Sequence, residues 1–282
     1  MSSQSETVIS SSTASGITTI QINRPHRRNA VNPSTAQKLY DHIIAFEDDV
    51  TQKVCILTGM GGTFCAGADL HEVAKGGNSN NKDTPPQSRH FAPPPFDNAE
   101  RTIGPMGPSR LQIKKPIIGA VSGYAVAGGL ELSLLCDMRV AEEDAVFGVF
   151  CRRWGVPLID GGTVRLQAIV GLGRALDMTL TGRAVDAQEA LAMGLANRVV
   201  PKGKGLEEAT AIAQQLLVFP QGCMNADRNS CYYSAYQAGS FQEALRYEFA
   251  GGEKVLEESV AGAARFSGGQ GRGGKFDKGS NL

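Results

Sequence analysis

What most limits the fold of this chain is a unit that occurs twice: a short apolar run, a glycine-containing turn, then a helical pattern. The runs are "KVCILTG" (53–59) and "KPIIGAVSG" (115–123). Each is rich in Ile or Val and bounded by glycine, as a strand buried on both faces requires. Repetition of strand, turn and helix implies a βαβ-type core with right-handed crossovers. Earlier in the chain, "ITTIQI" (17–22) alternates like a strand, and Asn32-Pro33 makes a cap and first-turn start for a helix through "STAQKLYDHIIAFEDD". After Thr163 the pattern turns helical as far as about Phe266, and Phe241, Leu245 and Phe249 fall on one apolar stripe at i, i+4, i+8.

These patterns divide the chain into a disordered tail (1–16), an α/β core (17–200), a C-terminal helical region suited to packing on other subunits (201–266) and a flexible tail (267–282). Residues 75–110, with "GGNSNNKDTPPQSRHFAPPPFDN", cannot form a continuous helix or central strand. A loop of this length reads as a mobile cover over a ligand site, with a plain surface insertion as the alternative.

Lys plus Arg equals Asp plus Glu at 28 each, so no net field recruits nucleic acid or an anionic membrane, and no apolar run is long enough to span a bilayer. Arg24, Arg27 and Arg28, and separately Arg152 and Arg153, leave room for local basic patches. The six cysteines form no CxxC pair, and the four histidines show no metal-ligand spacing. Reduced thiols and the absence of a targeting pattern point to the cytoplasm; the closing "SNL" is only loosely similar to a peroxisomal address.

Chemistry concentrates in "GYAVAGGLELSLLCD" (123–137). Gly128 and Gly129 let a backbone approach a ligand closely, and a helix starting there turns its first amides outward, toward an anion or a developing oxyanion. Glu131 sits in that first turn, on a helix apolar on nearly every face. A carboxylate buried there is a candidate acid or base, and complementing the helix dipole is its plainer role. The second stretch, "GMGGTFCAGADL" (59–70), is neither a P-loop nor a GxGxxG motif; it turns at Gly67 into a helix capped by Asp69 and offers the Ala68 amide as a second donor. By itself it could equally be a tight structural turn.

In order and separation, these stretches resemble the enoyl-CoA hydratase/isomerase (crotonase) superfamily. The resemblance extends from "INRPHRRNAVN" through "FCAGADL" and "FGVFCRRWGVPLIDGGTVRL" to "LTGRAVDAQEALAMGLANRVV". It implies an α/β, crotonase-like spiral of ββα repeats with a C-terminal helical trimerisation region, and a homotrimer or homohexamer. It also implies an acyl-CoA thioester as substrate, no separate cofactor, and two amides, by position those of Ala68 and Gly128, on the thioester oxygen. Glu131 matches the first of the two glutamates with which a hydratase adds water. Cys151 stands where the second would be, and a thiol is a poor substitute for a water-orienting carboxylate. Asp160 lies about one residue from the place where some isomerases and dehalogenases carry a catalytic aspartate; capping the helix near Thr163 is its alternative role. Arg28 and Ala30, with the turn Ala66, Gly67 and Asp69, are expected to flank the nucleotide and pantetheine, with plain solvation as Arg28's alternative. Gly129 and Cys151 are further substrate-binding candidates, and Trp154 is expected at the acyl pocket, with core packing as its alternative. The expected activity is therefore 2-enoyl-CoA hydration, with double-bond isomerisation, another enolate reaction, or non-catalytic acyl-CoA binding as rivals.

Overall fold

The computed structural model describes residues 6–76 and 101–270. The segment 77–100, which holds most of the expected cover, and the tail from 271 onward lie outside the described residues. Contacts divide the chain into one unit ending at Ala213 and a second beginning at Gln214.

The first unit opens with β1 (Val8–Ser12), β2 (Ile17–Ile22), α1 (Pro33–Asp48), β3 (Val54–Gly59) and α2 (Leu70–Gly76). Asn32 caps α1 as its sequence suggests, its Oδ1 accepting the Thr35 amide at 2.9 Å. Then follow β4 (Ile117–Val121), β5 (Tyr124–Val126), α3 (Gly128–Leu135), β6 (Met138–Glu142), β7 (Val146–Gly148), α4 (Gly162–Val170), α5 (Leu172–Thr181), β8 (Val185–Asp186), α6 (Ala187–Ala192), β9 (Arg198–Val200) and α7 (Gly205–Leu217), whose last turn lies past the end of this unit.

Six strands form one sheet in the order β1-β2-β3-β4-β6-β9, parallel except for β1 against β2. Three more, β5-β7-β8, form a second sheet. The repeating unit is thus two strands and a helix: β4 and β6 enter the large sheet, β5 and β7 the small one, and α3 and α4 follow. Residues Phe64 and Cys65 stand in for the second strand of the preceding repeat, since Cys65 bridges Ala125. Parallel strands covered on both faces explain the uninterrupted burial of Ile56, Leu57, Ile117 and Ile118.

Three expectations need correction. The first 16 residues are not all a frayed tail, because Val8–Ser12 pair with β2 and Val8 is fully buried. The core does not stop at 200: Ala209, Ile212 and Ala213 are buried, and the Gly205 amide donates to Glu142 Oε1 at 3.1 Å. Nor is the chain after Thr163 purely helical, since "RVV" adds β9 to β6 by parallel pairing.

The second unit contains α8 (Gln221–Tyr236), α9 (Phe241–Glu253) and α10 (Leu256–Ser267). The Ser240 side chain caps α9, and the Glu258 carboxylate accepts the Gly222 and Cys223 amides at the start of α8. The α9 stripe is present and unburied, with Phe241 71% and Phe249 72% exposed. No described helix is long and apolar enough to cross a membrane.

Candidate active site

Three segments meet around a cavity of about 400 Å³. The first is the turn after β3, which bridges a neighbour on each side. The Cys65 amide donates to Tyr124 O at 2.8 Å and the Val126 amide to Cys65 O at 3.1 Å. On the other side, the Val31 amide donates to Gly67 O at 2.8 Å and the Asp69 amide to Val31 O at 2.9 Å. A parallel bridge to Val31 built from the carbonyl before Ala68 and the amide after it leaves Ala68's own N–H directed away from that partner. Among the described residues it has no acceptor.

Gly67, at φ +97°, brings this turn against the start of α3: a Cβ there would lie 3.0 Å from both the Gly128 nitrogen and the Ala127 Cβ. Ala127 precedes the helix at φ 54° and ψ −125°, a strained conformation for a residue with a side chain. Its N–H donates to Gly148 O at 2.8 Å. The next amide, that of Gly128, opens the helix and has no intrahelical acceptor. Among the described residues it too is unpaired. Ala68 and Gly128 both line the cavity.

The third segment is the start of α4, against which Glu131 of α3 rests. The side chain is 2% exposed, and its Oε1 accepts the Asp160 and Gly162 amides, each at 2.9 Å. The absence of a side chain at position 162 makes this possible, because a Cβ there would fall 2.8 Å from Glu131 Cγ and Oε1. Burial, and then the nearby Asp160 charge, push the Glu131 carboxyl up to about 8; the two amides pull the other way without prevailing. No donor among the described residues reaches Oε2. The carboxyl therefore has one oxygen anchored and one available.

Asp160 lines the cavity but does not cap α4. Its Oδ1 accepts the Met106 amide at 3.1 Å and the Ser109 hydroxyl, while the residue before α4, Gly161, provides no side-chain cap. Glu131 takes the free Gly162 amide instead, so the capping role passes to the carboxylate of another helix. Cys151, 6% exposed, lines the same wall, and both burial and the Glu131 carboxylate push its thiol up.

Of the other expected site residues, Arg28, Ala66 and Trp154 line the cavity. Trp154 is 71% exposed, which removes core packing as its explanation. Arg28 lies over the Tyr124 ring, 5.6 Å from its centroid, and Arg153 over Phe150 at 4.6 Å. Four residues stand behind the cavity wall rather than on it. Gly129 packs against the turn, where a Cβ would meet Cys65 O at 1.9 Å, and Gly67 is the spacer just described. Asp69 is buried in an ion pair with Arg24 at 3.1 Å, and Ala30 offers its carbonyl to the same guanidinium. Arg24 accordingly faces inward and belongs to no surface basic patch.

Sequence reasoning missed Met106, Pro105, Tyr124, Phe150 and Ile159, all on the wall. Met106 belongs to "GPMG", a turn closed by reciprocal Gly104 and Gly107 bonds of 2.7 and 2.9 Å, and its Sδ would touch any Cβ at Gly128. The Gly-Pro composition signals the turn and not what it covers.

Strand–strand–helix repeats, with two amides unpaired among the described residues and an anchored carboxyl at one cavity, define a protein of crotonase type. The match is specific, and the chain belongs to the enoyl-CoA hydratase/isomerase family, whose model fits residues 12–226. It is 35% identical over 204 residues to an enoyl-CoA hydratase of Mycobacterium tuberculosis, covering 70% of each chain. To 2,3-dehydroadipyl-CoA hydratase of Escherichia coli it is 35% identical over 228 residues, 79% of this chain and 82% of that one. Among solved structures, the enoyl-CoA hydratase of Bacillus anthracis superposes with a TM-score of 0.79 at 28% identity, covering 93% of this chain and 96% of the other.

Proposed function

We propose that this protein adds water across the double bond of a 2-enoyl-CoA. The observation that carries this reading is the pair of amides at Ala68 and Gly128, unpaired among the described residues and lining one cavity with a carboxyl whose Oε2 has no donor among them. Two fixed donors suit the oxygen of a thioester as it becomes an enolate, and they need no reorganisation when the charge develops. Oε2 of Glu131 takes a proton from water as the water oxygen joins the β-carbon, and returns a proton to the α-carbon. Asp160, whose Oδ1 is engaged by Met106 and Ser109, holds the wall that positions Glu131. Coenzyme A enters as part of the substrate, and this chemistry requires no further cofactor. Arg28 and Arg153, at the cavity lining, suit its phosphates.

The exposed α9 stripe supports assembly into a trimer or a pair of trimers. Six unpaired cysteines support a reducing compartment, which we take to be the cytoplasm. A second reading, double-bond isomerisation, is favoured by one observation: a thiol, Cys151, lines the cavity with Glu131, and the chain has it at the position where the hydratases it resembles carry a second carboxylate. Crotonyl-CoA separates the two. Catalytic loss of its conjugated absorbance supports hydration. Stable absorbance, with a 3-enoyl-CoA converted to the conjugated isomer, transfers the assignment to isomerisation.

A further inference from the structure

Resting on the acyl-CoA reading, we propose that Cys151 captures the β-carbon of an unhindered 2-enoyl thioester by conjugate addition, with Glu131 carrying the proton from sulfur to the α-carbon. Of the described residues lining the cavity, Cys151 alone carries a thiol. Cys55, Cys65 and Cys136 are buried elsewhere, and Cys223 and Cys231 belong to the second unit. A thiol in a cavity is not by itself a reactive site. Here it shares the wall with a carboxyl that is 2% exposed, whose Oε2 has no donor among the described residues, and with two amides awaiting an oxygen.

The step balances without an added reagent. The sulfur's lone pair forms a bond to the β-carbon, and the π pair of the alkene moves to the thioester as an enolate held by the Ala68 and Gly128 amides. The thiol proton passes to Glu131 Oε2 and from there to the α-carbon. One S–H and one C=C π bond are lost; one C–S and one C–H bond are gained; the reverse path releases the alkene. Nothing is oxidised or reduced. A thiol needs a base to react, and an ordinary carboxylate is a weak one for it. The Glu131 carboxyl, lifted to about 8, is much better matched to a thiol, although burial lifts the thiol as well. An acryloyl group, whose β-carbon bears only hydrogens, is the acyl group best suited to capture.

The test incubates the full chain with acryloyl-CoA and follows it by intact-protein mass spectrometry and peptide mapping. Expected is one adduct with the mass of the whole thioester, on Cys151, absent from Cys151→Ser and formed about 100-fold more slowly in Glu131→Gln. Cys231, which is exposed, reports untemplated alkylation in the same sample. Labelling of Cys231 with Cys151 unmodified overturns the proposal, as does equal labelling of Cys151 with and without the Glu131 carboxyl. Calorimetry with butyryl-CoA, which has no double bond to attack, separates the two layers. Butyryl-CoA binding without a Cys151 adduct overturns the capture and leaves the acyl-CoA reading standing; no butyryl-CoA binding overturns both. Should Cys151→Ser fail to fold, the wild-type map and the Glu131→Gln rate still decide.

Discussion

Glu131 Oε1 accepts the Gly162 amide at 2.9 Å, so a carboxyl in the first turn of α3 rests on the first residue of α4. Together with the Asp160 amide, also at 2.9 Å, this bond fixes the position of the group to which the proposed chemistry assigns proton transfer. The Gly162 bond depends on position 162 having no side chain.

Gly162→Ala should therefore impair catalysis more than binding. The added Cβ would sit 2.8 Å from Glu131 Cγ and Oε1, and the carboxyl must swing off the helix start. We expect kcat to fall about 100-fold through loss of proton transfer, with KM for the thioester changed little. Overpacking should lower stability by about 1–3 kcal/mol. Steady-state kinetics beside urea melts check both, and an unchanged kcat contradicts the positioning role.

The pH dependence of turnover follows from which form of Glu131 works. Taking a proton from water requires the ionised carboxyl, and burial has raised its folded value to about 8. Accordingly log kcat/KM should climb with unit slope as pH rises and level off near 8. Glu131→Gln should lose about 10²–10⁴ in rate and abolish the slope. A profile that falls over this range would identify the protonated form as the working one.

Stability should show the opposite trend. The folded carboxyl holds its proton to about 8, while the unfolded one releases it near its ordinary value. The Glu131 contribution is thus full below the unfolded pKa and is lost as pH rises toward the folded one. Gln keeps an oxygen for both amides and has no charge to suppress. Glu131→Gln should match wild type near pH 4 and exceed it at pH 8 by an amount of order a few kcal/mol. Denaturant melts across pH measure the difference.

Much of this arrangement was legible in the sequence, because the relevant signals are local. The strand 17–22, the Asn32-Pro33 helix start and the glycines before Glu131 are each written in adjacent residues. What remained hidden was pairing at long range. Asp160 looked like a cap by its place before Gly161-Gly162-Thr163, yet its carboxylate turns to Met106 and Ser109, more than 50 residues away. Asp69 looked like a ligand contact beside Ala68, yet it meets Arg24 from a loop 45 residues earlier. Val8–Ser12 read as a frayed start because three serines mask a strand that only its pairing with β2 reveals. A sequence shows which groups are available, whereas three-dimensional proximity decides which of them already have partners.

Arg24 and Asp69 clamp the Ala68 turn, and that clamp can be probed separately from the chemistry. The pair is buried, with side chains 9% and 6% exposed, and the same guanidinium donates to Ala30 O. Removing one partner leaves the other charged and buried, so Arg24→Met should cost about 3–5 kcal/mol. Adding Asp69→Leu should recover a large part, since an apolar pair carries no uncompensated charge. Chemical denaturation of the two singles and the double completes the cycle, and simple additivity would show that the pair does not interact.

The two arginines at the cavity lining make the last prediction. Arg28 and Arg153 lie over Tyr124 and Phe150, which hold each guanidinium along the rim without neutralising it. If they receive the phosphates of coenzyme A, loss of one charge-assisted contact should raise KM about tenfold or more while kcat changes much less. Raising salt should weaken wild type more than Arg28→Ala, because screening has one less charge to act on. The comparison is made with the acyl-CoA and with the same acyl group on a short thiol carrying no phosphate. A penalty from Arg28→Ala that persists on the phosphate-free substrate would place this side chain against the acyl or pantetheine part instead.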